Sequence, residues 1–588
     1  MILMDFSANN ILNKINKRPS KVFSIIVLIF AFFLTYFLVT LQIKVGIVYW
    51  DIYLYLNNAL MFAGMGEGYK MHLSPMISFI TSLFYRYIHV GDGMLFGVCG
   101  IIFITGIYGM FLLLKLRFSQ LISVAGAVIF ASLTIVLSWS VSGTLDVPAA
   151  CFSIWTIYFT VYGLEKDKRA LYLVFPMAAI TLLTRYTSGL LILPMMFLFI
   201  AHYLEKGYQK DDLKKIALGI VMGLLIFAPF MVFFNSAVGT PFPFLDQLDV
   251  SVENNISSRD PGLMPDKTYY LKYIPQFISA NFRYTGYGAM LNPNQAEVNP
   301  ISYILIILSG IGLLLYAKGI LSKYYNQLKE TTKKAAPGKR NKHLILLASI
   351  IILLVLFIAS FWGDSYLITE ALMFALIIGL YLAFRKLEIK HLNLDLVMVM
   401  FFLTYFISHS LLSVKVDRYF ITMVPPMVYL MVLGLNCTGN MMGDLLKKIK
   451  TENIKLNQFL SKKKLLSGLL VMVLAIMLFV SSFNAYEQRV PYAIYGYVED
   501  GAKWLQEYDP DYQDKIIYSN QWPGYSWFLR MNVERGFMPD FNTTDEFSQM
   551  LVEGNATYYI SINNGSFELK DYEKIGNTSH VFFYKRIT

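Results

Sequence analysis

The chain has 588 residues, of which 56% are hydrophobic and only 15% are charged. A soluble domain contains about 25% charged residues, so this composition excludes a protein made only of soluble domains. The net charge of +11 does not indicate a nucleic-acid partner, because the basic residues lie in short segments between apolar stretches and form no basic groove motif.

Apolar stretches long enough to cross a bilayer recur along most of the chain. Inside the bilayer the backbone must satisfy its own hydrogen bonds, so each such stretch must be a helix. A span needs roughly 17–25 residues, and on this basis the sequence predicts a polytopic α-helical membrane protein with about thirteen transmembrane helices. The predicted spans are 22–42, 93–114, 121–139, 147–164, 170–184, 187–204, 216–235, 301–317, 344–361, 366–384, 395–413, 419–435 and 465–482.

Lysine and arginine residues are concentrated in alternate segments between the spans, as the positive-inside rule requires of cytoplasmic loops. The N-terminal segment 1–21 is basic, and the segment 318–343 is densely basic. Trp50, Trp139 and Trp362 fall at the opposite, outer ends of spans, where aromatic side chains favour the headgroup region. We therefore predict a multi-pass protein of the cell membrane with a cytoplasmic N-terminus and an extracytoplasmic C-terminal end.

The segment 22–483 is predicted to form a transmembrane module with two unusual outer loops. In the loop 43–92, the stretches that follow Asp51 and His72 are typical of amphipathic helices at the membrane interface. The loop 236–300 is polar and long enough to carry a function.

The tail 484–588 follows the last predicted span and lies outside by the same charge rule. We predict that it forms a small extracytoplasmic α/β domain. Its predicted elements are helices near 498–507 and 545–552, and strands near 515–519, 558–562 and 581–586.

Charged side chains at the outer ends of spans are candidates for function, since charges near the bilayer are costly. Asp51 follows the first span, and Asp146 lies in the LDVP turn between the third and fourth spans. Arg185 lies in TRYTSG, and Lys415 and Arg418 lie in SVKVDRYF. Taken singly, each has a structural interpretation: a solvated carboxylate for Asp51, a helix N-cap for Asp146, and a snorkelling anchor for each cation.

Together, these residues place two carboxylates and at least two cations at the outer face on separate helices. A carboxylate can accept the proton of an acceptor hydroxyl, and arginine can bind a leaving phosphate through two parallel hydrogen bonds. This combination suits group transfer from a membrane lipid phosphate. No nucleotide-binding motif accompanies it, so a nucleotide-sugar donor is not expected.

Other interpretations stay open at this point. A transporter or lipid flippase would also have many spans and charges in the membrane, but it should show internal repeats and charges near the bilayer midplane. A membrane scaffold without activity is a further alternative. Glu370 and His409 lie within predicted spans, and we interpret them as packed or cavity-lining groups, with a proton relay as the alternative.

Short motifs follow one another along the chain with matching sidedness: Asp51 closely after the first span, HLSPMI with Pro75, LDVP with Asp146, TRYTSG with Arg185, YYLKYIPQFI from Tyr269, and DRYFITMVPP with Arg418 and Tyr419. Their order resembles the GT-C superfamily of lipid-phosphate-dependent glycosyltransferases, in the branch that contains the protein O-mannosyltransferases and the lipid A aminoarabinose transferase.

The resemblance implies a GT-C-like fold and transfer of a sugar, with inversion, from a polyprenyl-phosphate (dolichyl-phosphate) sugar donor to a protein, lipid or glycan acceptor on the outer face. It implies Asp51 as the general base, with Asp146 as the second catalytic candidate. Ligands of the lipid phosphate are expected among Arg185, Arg418 and the neighbours of Arg418 in its motif, Lys415 and Tyr419.

The chain departs from the family pattern at two points. Ile52 follows Asp51 where the mannosyltransferases have Glu, and Leu-Ser-Pro stands in place of Lys-Pro-Pro before the second span. Both departures fall where the substrates would be recognised, which weighs against a protein-mannosyl assignment. Some members of the superfamily use a divalent metal, but no His/Asp cluster in this sequence demands one.

Overall fold

The computed structural model describes residues 19–66, 73–243, 245, 266–281, 296–334, 337–363, 365–387, 389–412, 415–446, 463–487, 493–562, 567–578 and 580–587. Several features of the sequence analysis lie outside these ranges. They are the N-terminal segment as far as residue 18, His72, and most of the outer loop 236–300.

Helices form most of the described chain. In chain order they are α1 Pro19–Val45, α2 Asp51–Ala63, α3 Met76–Tyr87, α4 Asp92–Lys115, α5 Gln120–Ser132, α6 Thr134–Trp139, α7 Asp146–Glu165, α8 Leu171–Thr184, α9 Ile192–Lys206, α10 Lys210–Val238, α11 Tyr269–Lys272, α12 Ile274–Ile278, α13 Pro300–Lys334, α14 Pro337–Trp362, α15 Tyr366–Phe384, α16 Leu392–Leu411, α17 Val424–Leu446, α18 Lys463–Glu487, α19 Ala493–Tyr508, α20 Trp522–Leu529 and α21 Thr544–Glu553.

Eleven helices of the described chain are long and apolar enough to cross a bilayer. Every predicted span overlaps a helix, but two of them fall short of this length. The predicted span 121–139 is divided into α5 and α6 at Leu133, whose backbone is extended. The predicted span 170–184 is the 14-residue helix α8. The structure therefore confirms a polytopic helical protein but not the predicted count of about thirteen spans.

The helices pack side by side in a continuous series. Helix α1 packs on α4, α4 on α7, α7 on α8, and α8 on α10, while α4 also packs on α5, α5 on α18, α18 on α17, and α17 on α13. Helix α14 packs chiefly on α15, and its apolar stretch Ile345–Trp362 is almost entirely unburied. Apolar surface of this extent is what a lipid-facing helix presents, because lipid chains cover it in place of water.

The loop after α1 returns to the bundle through α2 and α3. Helix α2 begins at Asp51 and ends before Gly64. Gly64 has a left-handed backbone conformation (φ 76°), which glycine adopts readily because it has no Cβ. Most residues of α2 are buried. It therefore lies between the bundle and another element, and not on the membrane surface with one face in solvent.

The C-terminal tail contains a five-stranded sheet flanked by helices, as predicted for a small α/β domain. Its strands are β3 Ile517–Ser519, β4 Glu534–Arg535, β5 Tyr558–Ile562, β6 Tyr572–Thr578 and β7 Val581–Arg586, after a separate pair formed by β1 Ala280–Asn281 and β2 Glu297–Val298. The order in the sheet is β4-β3-β5-β7-β6. Strand β3 is parallel to β4 and β5, whereas β7 is antiparallel to β5 and β6. The sequence pattern of the tail did not indicate α20, β4 or β6.

Helix α20 is the element that covers α2 from the side of the tail. The Asn57 side chain of α2 donates a hydrogen bond to the Pro523 carbonyl oxygen at 2.9 Å. Gly524 permits this close approach, because a Cβ there would lie 3.3 Å from the Tyr53 ring and 2.9 Å from Val498. The tail is thus held against the helix whose first residue is Asp51.

Candidate active site

Four charged residues from four elements meet at one end of the helix bundle. Asp51 is the first residue of α2, and Asp146 is the first residue of α7. Arg185 joins α8 to the short 3-10 helix Tyr186–Leu191, and Arg418 lies in the 3-10 helix Asp417–Met423 that precedes α17. Each residue lies at a helix boundary, so four separate chain turns bring the charges together.

The two arginines and two carboxylates form one continuous ion cluster. Arg418 Nη2 donates to Asp51 Oδ2 at 2.7 Å, and Arg418 Nη1 lies 3.6 Å from Asp146 Oδ2. Arg185 Nη1 contacts the other oxygen of Asp146, Oδ1. Asp146 therefore lies between two guanidinium groups, and Arg418 bridges the two carboxylates.

Burial differs sharply within this cluster. The side chain of Asp146 is 0% exposed, those of Arg418 and Arg185 are 9% and 12% exposed, and that of Asp51 is 18% exposed. Burying charges in pairs costs desolvation free energy that their attraction does not reliably recover, so such a cluster is weak evidence for stability. It is better evidence for a functional site, and Asp51 is its most accessible carboxylate.

The cluster retains capacity to bind an anion. Within the described residues, the Nε–H of the buried Arg418 has no hydrogen-bond partner. Arg185 is held from one side by a hydrogen bond from its Nε to Thr187 Oγ1 at 2.8 Å. Arginine presents its donors in a planar fork that fits the oxygens of a phosphate.

Aromatic rings support both guanidinium groups. The centre of the Arg418 guanidinium lies 4.4 Å from the ring centroid of Tyr49 and 6.0 Å from that of Trp139. The Arg185 guanidinium lies 4.8 Å from the ring of Tyr419. Tyr419 therefore reaches the site through its ring face.

Trp139 is not the exposed aromatic anchor that the sequence predicts at an outer helix end. It is fully buried, and its indole N–H donates to Asp417 Oδ2 at 3.3 Å. The prediction was wrong because the Tyr49 ring and the 3-10 helix Asp417–Met423, which come from distant parts of the chain, pack against Trp139. Trp362, in contrast, is 59% exposed.

Lys415 lies near the site but makes different contacts. Its ammonium group donates to the carbonyl oxygen of Ser410 at 2.8 Å and contacts the carbonyl oxygen of Leu412. These carbonyls belong to the C-terminal end of α16, where a cation interacts favourably with the last peptide groups of the helix.

The remaining polar candidates are buried in the membrane module. His409 Nε2 lies 3.0 Å from Thr422 Oγ1, and its ring lies 5.3 Å from the ring of Tyr419. Glu370 is also buried. The N-cap interpretation of Asp146 does not hold, since its side chain makes no capping hydrogen bond and α7 begins at this residue after Leu145.

The arrangement does not suit a divalent metal. Among the described residues there is no group of three or more His, Cys, Asp or Glu side chains that could hold one. The two carboxylates of the cluster face arginines, and a hard cation requires several oxygen ligands that are free to coordinate it.

The four charged residues are recognisable in the sequence as candidates, but Tyr49 is not. The chain has 40 tyrosines, and nothing in the local sequence distinguishes Tyr49 from the others. Its position two residues before Asp51 is a signal only once Arg418 is known to lie beside it.

Part of the chain matches a known protein family. Residues 72–233 match the family model described as dolichyl-phosphate-mannose-protein mannosyltransferase. This range contains Asp146 and Arg185, whereas Asp51 and Arg418 lie outside it. No curated protein sequence matches the chain.

Solved structures with the same fold cover almost the entire chain. ArnT from Cupriavidus metallidurans bound to undecaprenyl phosphate is similar over 97% of this chain and 98% of its own, with a TM-score of 0.55 and 10% sequence identity. The apo state of the same ArnT is similar over 95% of this chain and 97% of its own, with a TM-score of 0.51 and 11% identity. In fold the chain resembles ArnT, and in sequence residues 72–233 resemble the dolichyl-phosphate-mannose-protein mannosyltransferases, so the chain is a multi-span membrane protein similar to the GT-C superfamily.

Proposed function

We propose that this protein transfers a sugar from a polyprenyl-phosphate sugar to a hydroxyl group of an acceptor at the outer face of the membrane. The observation that carries this proposal is the bridge that Arg418 makes between Asp51 and Asp146. It places a candidate base and a candidate phosphate ligand within one hydrogen bond of each other.

A lipid phosphate is the ligand that best fits the two arginines. They lie at the ends of membrane helices, where a polyprenyl chain can stay in the bilayer while its phosphate reaches the cluster. The similar ArnT was solved bound to undecaprenyl phosphate, and the name of the matching family includes dolichyl-phosphate-mannose. Both lipids are polyprenyl phosphates, and a polyprenyl-phosphate sugar is the donor we propose here.

Asp51 is the proposed general base. It is the cluster carboxylate with the greatest exposure, and only an accessible carboxylate can reach the hydroxyl of an incoming acceptor. Its Oδ2 accepts the hydrogen bond from Arg418, and no other hydrogen bond to its carboxylate is present among the described residues. Oδ1 is therefore the oxygen that would accept the proton.

The proposed reaction forms one glycosidic bond and breaks another. The acceptor oxygen attacks the anomeric carbon while Asp51 takes the hydroxyl proton. The bond between the anomeric carbon and the phosphate oxygen breaks, and its electron pair leaves with the polyprenyl phosphate. The phosphate gains one negative charge, which Arg185 and Arg418 stabilise. Attack opposite the leaving group inverts the anomeric carbon.

Asp146 has a different proposed role. It is inaccessible to an acceptor, and it contacts both arginines. We assign it the positioning of the two guanidinium groups. Lys415 and Tyr419 remain proposed neighbours of the phosphate site, with Tyr419 acting through the ring that lies against Arg185.

The acceptor would approach from the side of the tail. Helix α20 of the tail covers α2, and Trp522 at its start lies 5.8 Å from Trp50, the residue before Asp51. This contact supports our proposal that the tail takes part in the choice of a protein, lipid or glycan acceptor. A transporter or flippase is less well supported, because the four charges lie at helix ends and not at mid-span.

The test uses the purified full-length protein in detergent or nanodiscs. Undecaprenyl-phosphate mannose and undecaprenyl-phosphate aminoarabinose are supplied separately with an envelope extract from cells that lack the gene. We expect release of undecaprenyl phosphate and transfer of label from one donor to a component of the extract. Binding of undecaprenyl phosphate is measured in parallel. A protein that binds neither the lipid phosphate nor either donor would contradict the proposal.

A further inference from the structure

We propose that Tyr49 is a positioning residue for Arg418, and that it acts through its ring face. The inference rests on the proposed function, because it concerns how one of the two arginines is presented to the donor phosphate. Tyr49 belongs to the short connection between α1 and α2, two residues before Asp51.

The Tyr49 ring forms one wall of the site that holds the Arg418 guanidinium. The guanidinium centre is 4.4 Å from the ring centroid, within the range in which a cation is attracted to the negative face of an aromatic ring. The Tyr49 ring also packs against Trp139, with ring centroids 6.0 Å apart and planes at 88°. Trp139 is fully buried and hydrogen-bonded to Asp417, so the Tyr49 ring packs against a side chain that is itself fixed.

The hydroxyl group of Tyr49 does not explain its position. Among the described residues it makes no hydrogen bond. Burial raises the pKa of Tyr49 to about 12, and the phenol is neutral at physiological pH. The ring of Tyr49, in contrast, lies directly against the Arg418 guanidinium.

Arg418 needs such support because each of its three guanidinium nitrogens must stay oriented toward a different partner. Two of its nitrogens point to Asp51 and Asp146, and its Nε–H is left for a further partner. An arginine side chain has many rotamers and loses them at a cost in entropy. A ring against the guanidinium limits those rotamers without occupying any of its N–H donors.

Each of the two arginines is contacted by an aromatic ring from a different segment of the site. Tyr49 is close in sequence to the base Asp51 and supports Arg418. Tyr419 is next in sequence to Arg418 and supports Arg185, with its ring 4.8 Å from that guanidinium. The segments 49–51 and 418–419 therefore each carry one charged residue of the site and one ring that contacts an arginine from another segment.

The experiment measures undecaprenyl phosphate affinity, turnover and melting temperature of the full-length protein. Tyr49→Phe should bind within about twofold of the wild type. Tyr49→Leu should bind about 5- to 30-fold more weakly, the range expected for losing a desolvated cation–π contact. Tyr36→Leu is the control, since Tyr36 is 66% exposed on α1, and it should bind normally.

A second series separates positioning from packing. Phenylalanines with increasing fluorination are placed at position 49, which keeps the ring shape while weakening the negative charge of its face. Affinity should fall stepwise along the series with little change in melting temperature. Equal affinity throughout the series, or a normal Tyr49→Leu protein, would overturn the inference and leave the proposed function intact. A wild-type protein that binds no undecaprenyl phosphate would instead overturn the proposed function itself.

Discussion

Arg418 and Asp51 are 367 residues apart in sequence, and their side chains are joined by a hydrogen bond of 2.7 Å. The arginine comes from the turn before α17, and the aspartate begins α2 beneath the C-terminal tail. A candidate base and a candidate phosphate ligand are thus in direct contact, which couples the two halves of the proposed reaction.

Replacing Asp51 tests the identity of the base. Asp51→Asn keeps the shape and a hydrogen-bond acceptor for Arg418 but cannot take a proton, so turnover should fall by about 10²–10⁴-fold. Affinity for undecaprenyl phosphate should change much less. Turnover with the active polyprenyl-phosphate sugar is the measurement. If Asp51→Asn stays active and Asp146→Asn is inactive, the roles of the two carboxylates are reversed.

Replacing Arg185 should affect stability as well as activity. Arg185→Met leaves the fully buried Asp146 with only the longer contact to Arg418. Removing one partner of a buried ion pair costs about 3–5 kcal/mol, which should appear as a lower melting temperature. The double variant Arg185→Met with Asp146→Leu should regain much of that stability and remain inactive. Equal melting temperatures for the single variant and the wild type would show that the pair has no structural role.

Lysine should not substitute for either arginine. Arg418→Lys retains the positive charge but replaces the planar fork of the guanidinium with a single ammonium group. This group cannot contact both Asp51 and Asp146 and still present a further N–H to the phosphate. We expect weaker binding of undecaprenyl phosphate and a larger loss of turnover, because the phosphate gains charge in the transition state. Steady-state kinetics at several donor concentrations distinguish the two effects. Normal kinetics for Arg418→Lys would show that charge alone is sufficient.

The contact between the tail and α2 can be weakened at one glycine. Gly524→Val would force a side chain against Val498 and the Tyr53 ring, so the tail should separate from α2. Transfer to the acceptor should then fall while undecaprenyl phosphate binding persists. Gly496→Ala is the matched control, since a Cβ there meets no atom within 4 Å. Normal transfer by Gly524→Val, with the tail shown by limited proteolysis to be released, would exclude a role in acceptor use.

The predicted topology can be tested with an impermeant thiol reagent in intact cells. The native cysteines Cys99, Cys151 and Cys437 are first replaced by alanine. A cysteine at the exposed Gln549 of the tail should be labelled, whereas one at the exposed Lys329 near the end of α13 should be labelled only after lysis. Labelling of both positions in intact cells, or of Lys329 alone, would contradict a cytoplasmic N-terminus and an outer tail.

The sequence by itself was sufficient to predict a polytopic helical fold, the positions of most helices, and an α/β tail. These features follow from local physical requirements, since a bilayer-spanning segment must be apolar and helical and a strand must alternate or be buried. The short elements were less accessible. Helix α8 and the division between α5 and α6 at Leu133 depend on how neighbouring helices pack, and not on the local apolar pattern.

The candidate site shows the same division. Asp51, Asp146, Arg185 and Arg418 could be singled out from the sequence because a charge beside an apolar span is costly wherever it lies. The sequence could not show which of these residues form ion pairs. Nothing near Arg185 in the sequence indicates that its partner is Asp146. Tyr49 was invisible for a further reason. A cation–π contact depends on the distance and orientation of a ring and a guanidinium that different parts of the chain supply, and only the tertiary structure brings Tyr49 and Arg418 within 4.4 Å.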